Sequence, residues 1–312
     1  MSTSKLSSPQ TGTHTDTQPG DHVGSQTKWT LLTALSPIVW GTTYLSTTAL
    51  LPAGHPLFSG LMRSLPAGII GLIITRRLPH GSWWWKSLVL GVLNMAMFFP
   101  LLFVTAQHLP GGVAATFTAA QPILITLLAP PLLRQSFSKR GFVWGLAGLA
   151  GVACVVLGPG AKLDVIGIIS GILANAGMAA GITLTKRWGQ PENTSAMAMT
   201  SWQLTWAGIV LLIPAFCIDG VPAGIDAKAV CGYLWLGLIG GLATYTIWTA
   251  GIRRLPVTST GMLGLLSPLT AAALGVLLAG ETLTPIQIVG FIIALAAMLF
   301  GQSTTQSRKD IS

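Results

Sequence analysis

The chain has 312 residues, of which 51% are hydrophobic and 8% charged, about a third of the charge that a soluble domain carries. That balance excludes an ordinary soluble fold, and apolar runs of about 20 residues recurring along most of the length indicate a multi-pass helical membrane protein. The formal net charge of +9 would point a soluble protein toward nucleic acid, but in a membrane chain the placement of charges matters more than their sum, and no nucleic-acid partner is expected.

Taken in order, residues 1–28 are rich in Ser, Thr, Gln, Gly and His and hold no apolar segment, so they read as a disordered cytoplasmic tail and not as a cleavable signal. Breaks at Pro, Gly and charged residues divide the chain beyond this tail into apolar segments at 29–49, 56–75, 87–108, 111–133, 141–158, 164–185, 195–218, 229–252, 257–279 and 285–301. The expected fold class is an all-α integral membrane protein of ten transmembrane helices. Pro37, Pro100, Pro122 and Pro268 fall inside these spans, where neighbours must satisfy the carbonyls they free and where kinks often lie beside a cavity. Trp83, Trp84 and Trp85 precede the third span, and with Trp29 and Trp188 they fit an aromatic belt at the cytoplasmic interface. Cys154, Cys217 and Cys231 show no metal or redox spacing and read as small apolar packing residues. Residues 303–312 form a second polar tail.

Ten spans place both termini on one side. Fourteen of the seventeen Lys and Arg residues lie in the tails or in the loops on that side, Lys162 and Lys228 lie opposite, and Arg63 alone sits inside a span. By the positive-inside rule both termini are cytoplasmic, in a cell (inner or plasma) membrane.

The second half echoes the first. LVLGVLN (88–94) aligns with LWLGLIG (234–240) at an offset of 146, and the same offset pairs Leu109–Pro110 with Leu255–Pro256 and Gln121–Pro122 with Ser267–Pro268. RSLPAGII (63–70) aligns with QLTWAGIV (203–210) at an offset of 140. The expected units are residues 29–159 (spans 1–5) and 163–302 (spans 6–10). Five spans per half is an odd number, so the two repeats are inverted, an arrangement that places a solute site near mid-membrane between them.

These residues also carry a resemblance. Trp40–Gly41, Arg63, LPGGVAATFTAAQP (109–122), LPVTSTGMLGLLSP (255–268), the glycine-rich fifth span and Gly290 resemble the ten-helix EamA branch of the drug/metabolite transporter superfamily, over residues 29 to 302. WGTTY (40–44), LTKRWG (184–189) and LGLLSP (263–268) are similar to its blue-pigment (indigoidine) exporter subgroup. The resemblance implies a transporter, usually an exporter, whose cavity is lined by spans from both halves.

Arg63 is the prime site candidate, because an arginine inside a span costs at least ~2.5–3.5 kcal/mol on insertion scales. It reads either as the counter-ion of an anionic solute or as a cap on carbonyls freed near a kink; Gln203 is its counterpart in the repeat. Trp40, Tyr44, Asn94, Phe98, Gln121, Asn175, Trp202, Gln203, Tyr245 and Trp248 fall at mid-span depth. Together they read as an amphipathic substrate-binding cavity, set against plain inter-helix hydrogen bonding. No embedded carboxylate is available for proton coupling, Glu281 lying at the outer end of span 9, and one embedded base is too few for tight binding of phosphorylated solutes. His108 reads as an interfacial histidine. Gly141-xxx-Gly145 and Gly177-xxx-Gly181 fit helix packing better than dimerisation, so a monomer or weak homodimer is expected. The functional expectation is a secondary transporter exporting a small amphipathic metabolite or drug-like compound (amino acid, pigment or similar) by alternating access, with no cofactor or metal. A non-transporting multi-pass component and an integral-membrane enzyme stay open as alternatives.

Overall fold

The computed structural model describes residues 19–109, 117–156, 164–279 and 283–303, and these are helical throughout apart from turns and short connections. The first half contributes α1 (Pro19–Gly41), α2 (Thr43–Leu50), α3 (Pro56–Thr75), α4 (Trp83–Gly91), α5 (Phe98–His108), α6 (Gln121–Leu133) and α7 (Lys139–Val156). The second contributes α8 (Val165–Trp188), α9 (Ala196–Pro214), α10 (Ala227–Leu234), α11 (Thr244–Arg254), α12 (Val257–Leu263), α13 (Leu266–Ala279) and α14 (Pro285–Ser303). Among the described residues, six helical stretches are long and apolar enough to cross a membrane: Pro56–Thr75, Trp83–Thr105, Val165–Trp188, Ala196–Asp219, Ala227–Arg254 and Val257–Leu278. Phe117–Leu133 and Pro285–Gly301 are shorter apolar helices. The protein is a multi-pass membrane protein.

Helix starts follow local chemistry. Asp164, Ser195 and Asp226 cap α8, α9 and α10 by accepting from the backbone N–H three residues on, at 3.0, 3.1 and 2.8 Å. The start of α3, with Pro56 in its first turn, is capped from the other half of the chain: Asp219 accepts from the backbone N–H groups of Leu57 and Phe58. Arg76 and Arg134 close α3 and α6 in the left-handed conformation, with φ of 49° and 54°.

Several interruptions fall just ahead of prolines, which remove a donor. A proline ring crowds the carbonyl four residues earlier. Accordingly, a turn at Ala120 precedes α6 and Pro122, and a turn at Gly264–Leu265 precedes α13 and Pro268. Ahead of Pro100 the chain runs through a π-helical segment, Val92–Ala96, between α4 and α5. A second π segment, Trp235–Ala243, joins α10 to α11, and a third, Ala215–Asp219, ends α9. The first two contain the aligned stretches 88–94 and 234–240 in part.

The helix pairs with the widest contact are α3 with α9 and α7 with α14. Gly151 and Gly290 allow the second pair to touch, since a Cβ on Gly290 would collide with the Gly151 carbonyl and the Cys154 side chain, and one on Gly151 with Ala294 and the Gly290 carbonyl. Gly145 faces Ile123, and Gly177 and Gly181 face Met97 and Asn94. These glycines are spent on packing inside the chain. The buried core centres on Phe99, Trp248, Leu204 and Ile125, while Ile73, Ile213, Ile218 and Leu277 stand on the outer face, as expected where lipid is the solvent.

Three expectations change. Residues 19–28 belong to α1 and are helical where composition suggests a tail. Cys217 and Cys231 are exposed on the outer face, and only Cys154 is partly buried. Of the tryptophan run, Trp84 and Trp85 are exposed, but Trp83 is buried against Trp202, with ring centroids 6.4 Å apart. Residues 1–18, the 110–116 stretch, Lys162, Glu281 and residues 304–312 lie outside the described residues.

Candidate functional site

The helix interruptions converge on a cavity of about 50 Å³, room for a few water molecules. Its wall takes Trp40 and Thr43 from the α1–α2 break, Arg63 from α3, and Phe98 and Leu102 from α5. Thr118 and Gln121 flank the Ala120 turn, Met178 comes from α8, Tyr245 from α11, and Gly264 and Ser267 flank the second turn. Both halves of the chain therefore contribute, and the two broken helices do so with the residues beside their breaks.

Arg63 is 3% exposed. Its Cζ lies 4.2 Å from the centroid of the Phe99 ring, and Nη2 donates to the Gly240 carbonyl at 3.2 Å. Nε has no hydrogen-bond partner. The Gly240 carbonyl lies in the second π segment, where the altered ladder leaves carbonyls free to accept from elsewhere. It also receives the Trp40 Nε1–H at 2.9 Å and the Thr244 hydroxyl at 2.8 Å. Trp40 Nε1 is shared with Thr244 Oγ1, also at 2.9 Å, and its ring packs on Tyr245 and Trp248 with centroids 4.6 and 5.1 Å away.

Asn94, in the first π segment, donates to Gln203 Oε1 at 2.9 Å. Position 240 follows position 94 at the 146-residue offset, as 203 follows 63 at the 140-residue offset. In each half, then, a polar side chain of one long helix reaches the π segment of the other half. Gln203 in turn donates to the Met199 carbonyl at 3.3 Å.

Of the eleven residues chosen from sequence, Trp40, Arg63, Phe98, Gln121 and Tyr245 line the cavity. Trp248 stands behind Trp40, 2% exposed, with its Nε1 unpartnered. Asn94 and Gln203 are engaged with each other, and Asn175 donates to the Gly171 carbonyl of its own helix at 2.9 Å. Trp202 donates to the Arg77 carbonyl at 2.7 Å, near the end of α3 and away from the cavity. The backbone of Tyr44 is in α2, and its side chain lies outside the described residues. Sequence reading passed over Thr43, Leu102, Thr118, Met178, Gly264 and Ser267. The 146-residue offset held a signal for two of them, since it pairs Gln121 with Ser267 and Thr118 with Gly264.

Two further contacts join the halves. His108 Nδ1, at the end of α5, lies 3.2 Å from Asp164 Oδ1 at the start of α8. The Gly167 backbone N–H first, and the neighbouring His108 second, hold the Asp164 carboxyl below the ordinary carboxylate range against the opposing pull of desolvation. Arg254, in the last turn of α11, places Cζ 3.9 Å from the Trp29 ring of α1.

A sequence model of the EamA-like transporter family matches residues 27–157 and 165–300. Protein PecM of Dickeya dadantii (strain 3937) is 39% identical over 267 residues, 86% of this chain and 90% of its own. The uncharacterized transporter YwfM of Bacillus subtilis (strain 168) is 27% identical over 290 residues, 90% of this chain and 96% of its own. A solved crystal structure superposes with a TM-score of 0.74 at 16% identity, covering 93% of this chain and 99% of its own, a likeness of fold.

Proposed function

The chain belongs to the EamA-like transporter family, and from that premise we propose that it is a secondary exporter of small amphipathic solutes, working by alternating access in a cell membrane with both termini cytoplasmic. The observation that carries this reading is the cavity walled by broken helices from both halves, the setting in which transporters of this architecture hold their solutes. Its wall combines three aromatic rings, Trp40, Phe98 and Tyr245, with the neutral polar groups of Gln121, Ser267 and Thr43. Such a wall stacks a flat or apolar body and hydrogen-bonds its edges. Arg63 is its charged member, so the chemistry on offer is binding and not nucleophilic attack or proton transfer.

Ten spans arranged as two inverted repeats, 29–159 and 163–302, account for several independent features. The family matches fall on the two stretches separately. π segments occupy aligned positions, and the turns at Ala120 and Gly264–Leu265 precede aligned prolines. In this arrangement the His108–Asp164 and Trp29–Arg254 contacts close opposite ends of the path between the halves. With both made, the cavity is small, and a metabolite-sized solute enters only when one end opens.

The test is flux through the purified chain in liposomes. Amphipathic dyes and labelled metabolites are expected to cross faster than in empty vesicles; equal rates would defeat the transport reading. A cysteine placed after Lys162 is expected to react with a membrane-impermeant thiol reagent from outside the cell, and labelling only from the cytoplasm would defeat the topology.

A further inference from the structure

The charge of the cavity wall is unbalanced. Guanidinium groups stay protonated throughout the working range of proteins, and the wall residues around Arg63 include no carboxylate. The Phe99 ring face and the Gly240 carbonyl offer it a quadrupole and a dipole, and the Tyr245 phenol of the same wall adds a neutral hydroxyl, but none of them brings a net charge. Nε is buried with no acceptor. A buried cation left in this state is costly, and the cost falls when a ligand supplies one negative charge and an oxygen acceptor. A dianion would overshoot, leaving a net negative charge in the same apolar surroundings.

We propose that the cavity takes organic monoanions, one carboxylate on an aromatic or apolar body, and that their export is electrogenic, driven by the membrane potential without a coupling ion. This rests on the transport reading. The loaded site is neutral, so its passage from inward-facing to outward-facing moves no net charge through the field. The empty site carries +1, and its return moves that charge inward. An inside-negative potential therefore pulls the empty carrier back, and each cycle exports one negative charge. At ~100 mV the outside-to-inside concentration ratio sustained for a monoanion is roughly fifty. Among the described wall residues no carboxylate stands beside Arg63, and the Tyr245 phenol that faces it is neutral at working pH, so no coupling ion is needed and the cation itself is the voltage-sensing element.

The probe pair is N-acetyl-L-tryptophan, a monoanion at neutral pH, and its neutral isostere N-acetyl-L-tryptophanamide. Liposomes carrying the full-length chain are loaded with each, and potentials are set by potassium gradients with valinomycin. Efflux of the anion is expected to rise with inside-negative potential and fall when the sign is reversed, while that of the amide, whose loaded site keeps its +1 charge, does not rise. Voltage steps on solute-free carrier are expected to produce a transient charge displacement. Arg63→Gln should abolish both voltage responses and the preference for the acid. Arg63→Lys should keep the voltage response while losing at least tenfold in selectivity for carboxylate over amide, which decides the matter if the glutamine variant folds poorly. Efflux that follows a pH gradient but not the potential, or a solute-free carrier that displaces no charge, would overturn the proposal. If dyes cross and these voltage arms fail, only this inference falls; if neither dyes nor probes cross, the transport reading falls with it.

Discussion

Phe99 and Tyr245 stand 146 positions apart, the offset that aligns the two halves, and their rings meet edge to face with centroids 6.1 Å apart and planes at 78°. In an inverted repeat, equivalent residues touch each other only close to the axis that relates the halves. This pair therefore marks the middle of the proposed arrangement. Arg63 rests on one ring, Trp40 packs against the other, and the cavity opens beside both.

The cation on Phe99 has a measurable value. Replacing Phe99 by Leu keeps an apolar side chain but removes the ring face, a loss of about 0.5–2 kcal/mol for a desolvated cation–π contact. The expected result is a lower melting temperature in detergent and a coupling of that size in a double-mutant cycle with Arg63→Gln. Zero coupling would show that the ring does not hold the guanidinium.

The Asn94–Gln203 bond is predicted to be worth less than its burial suggests. Hydrogen bonds between membrane helices average about 0.6 kcal/mol in double-mutant cycles, since the unfolded chain in a bilayer also finds partners. Asn94→Ala and Gln203→Ala should couple by that order in reversible unfolding. Additive effects would argue that the two side chains stabilise their helices separately.

Gly290→Leu is expected to lower stability by more than about 2 kcal/mol, because its Cβ would run into the Gly151 carbonyl and Cys154, which are not the flexible ends of side chains. The particle size of the remaining folded protein, measured by light scattering, should not change. A shift in oligomeric state with stability preserved would instead assign this glycine face to contacts between copies.

Trp202→Phe removes the donor to the Arg77 carbonyl and should cost about 1 kcal/mol of stability. Solute flux per folded molecule should stay at the wild-type level, since this ring is distant from the cavity wall. A selective loss of flux would bring Trp202 back among the solute contacts.

Asp164 supplies a pH dependence whose sign is fixed by its environment. Its folded-state pKa lies below the ordinary 3.8, so the ionised form is favoured in the fold. The stabilisation is present above that ordinary value and is lost as pH falls through the lower folded value. Melting temperatures followed down through this range should fall more steeply for the wild type than for Asp164→Asn. Parallel curves would show that the Gly167 cap and the His108 contact do not depend on ionisation.

The apolar helices, several proline interruptions and Arg63 were legible because each leaves a one-dimensional trace: a run of apolar residues, a missing N–H, a charge where few are tolerated. Azimuth was not. In a bilayer the outward face of a helix is as apolar as the inward one, so the moment that orients a helix in a soluble protein is weak. Asn94, Gln203 and Trp202 were picked out by residue type, yet the first two face each other and the third faces a helix end. Gly264 and Ser267 carry little side chain to notice, although alignment with Thr118 and Gln121 marked their positions. Phe99 lay hidden as the second of two adjacent phenylalanines; Phe98 lines the cavity, while Phe99 sits beneath Arg63 and against Tyr245.

The two aligned π segments have a mechanical meaning. Each is an inserted residue held in register by side chains from the other half: Gln203 on one, and Arg63 with Trp40 on the other. Such an insertion behaves as a dislocation in a helical lattice. Passing it along the helix by one turn rotates the residues it crosses by about 100° without breaking the helix at either end. A solute that drew Arg63 away from the Gly240 carbonyl would release one of the pins on that dislocation, turning local recognition into rotation of a helix face.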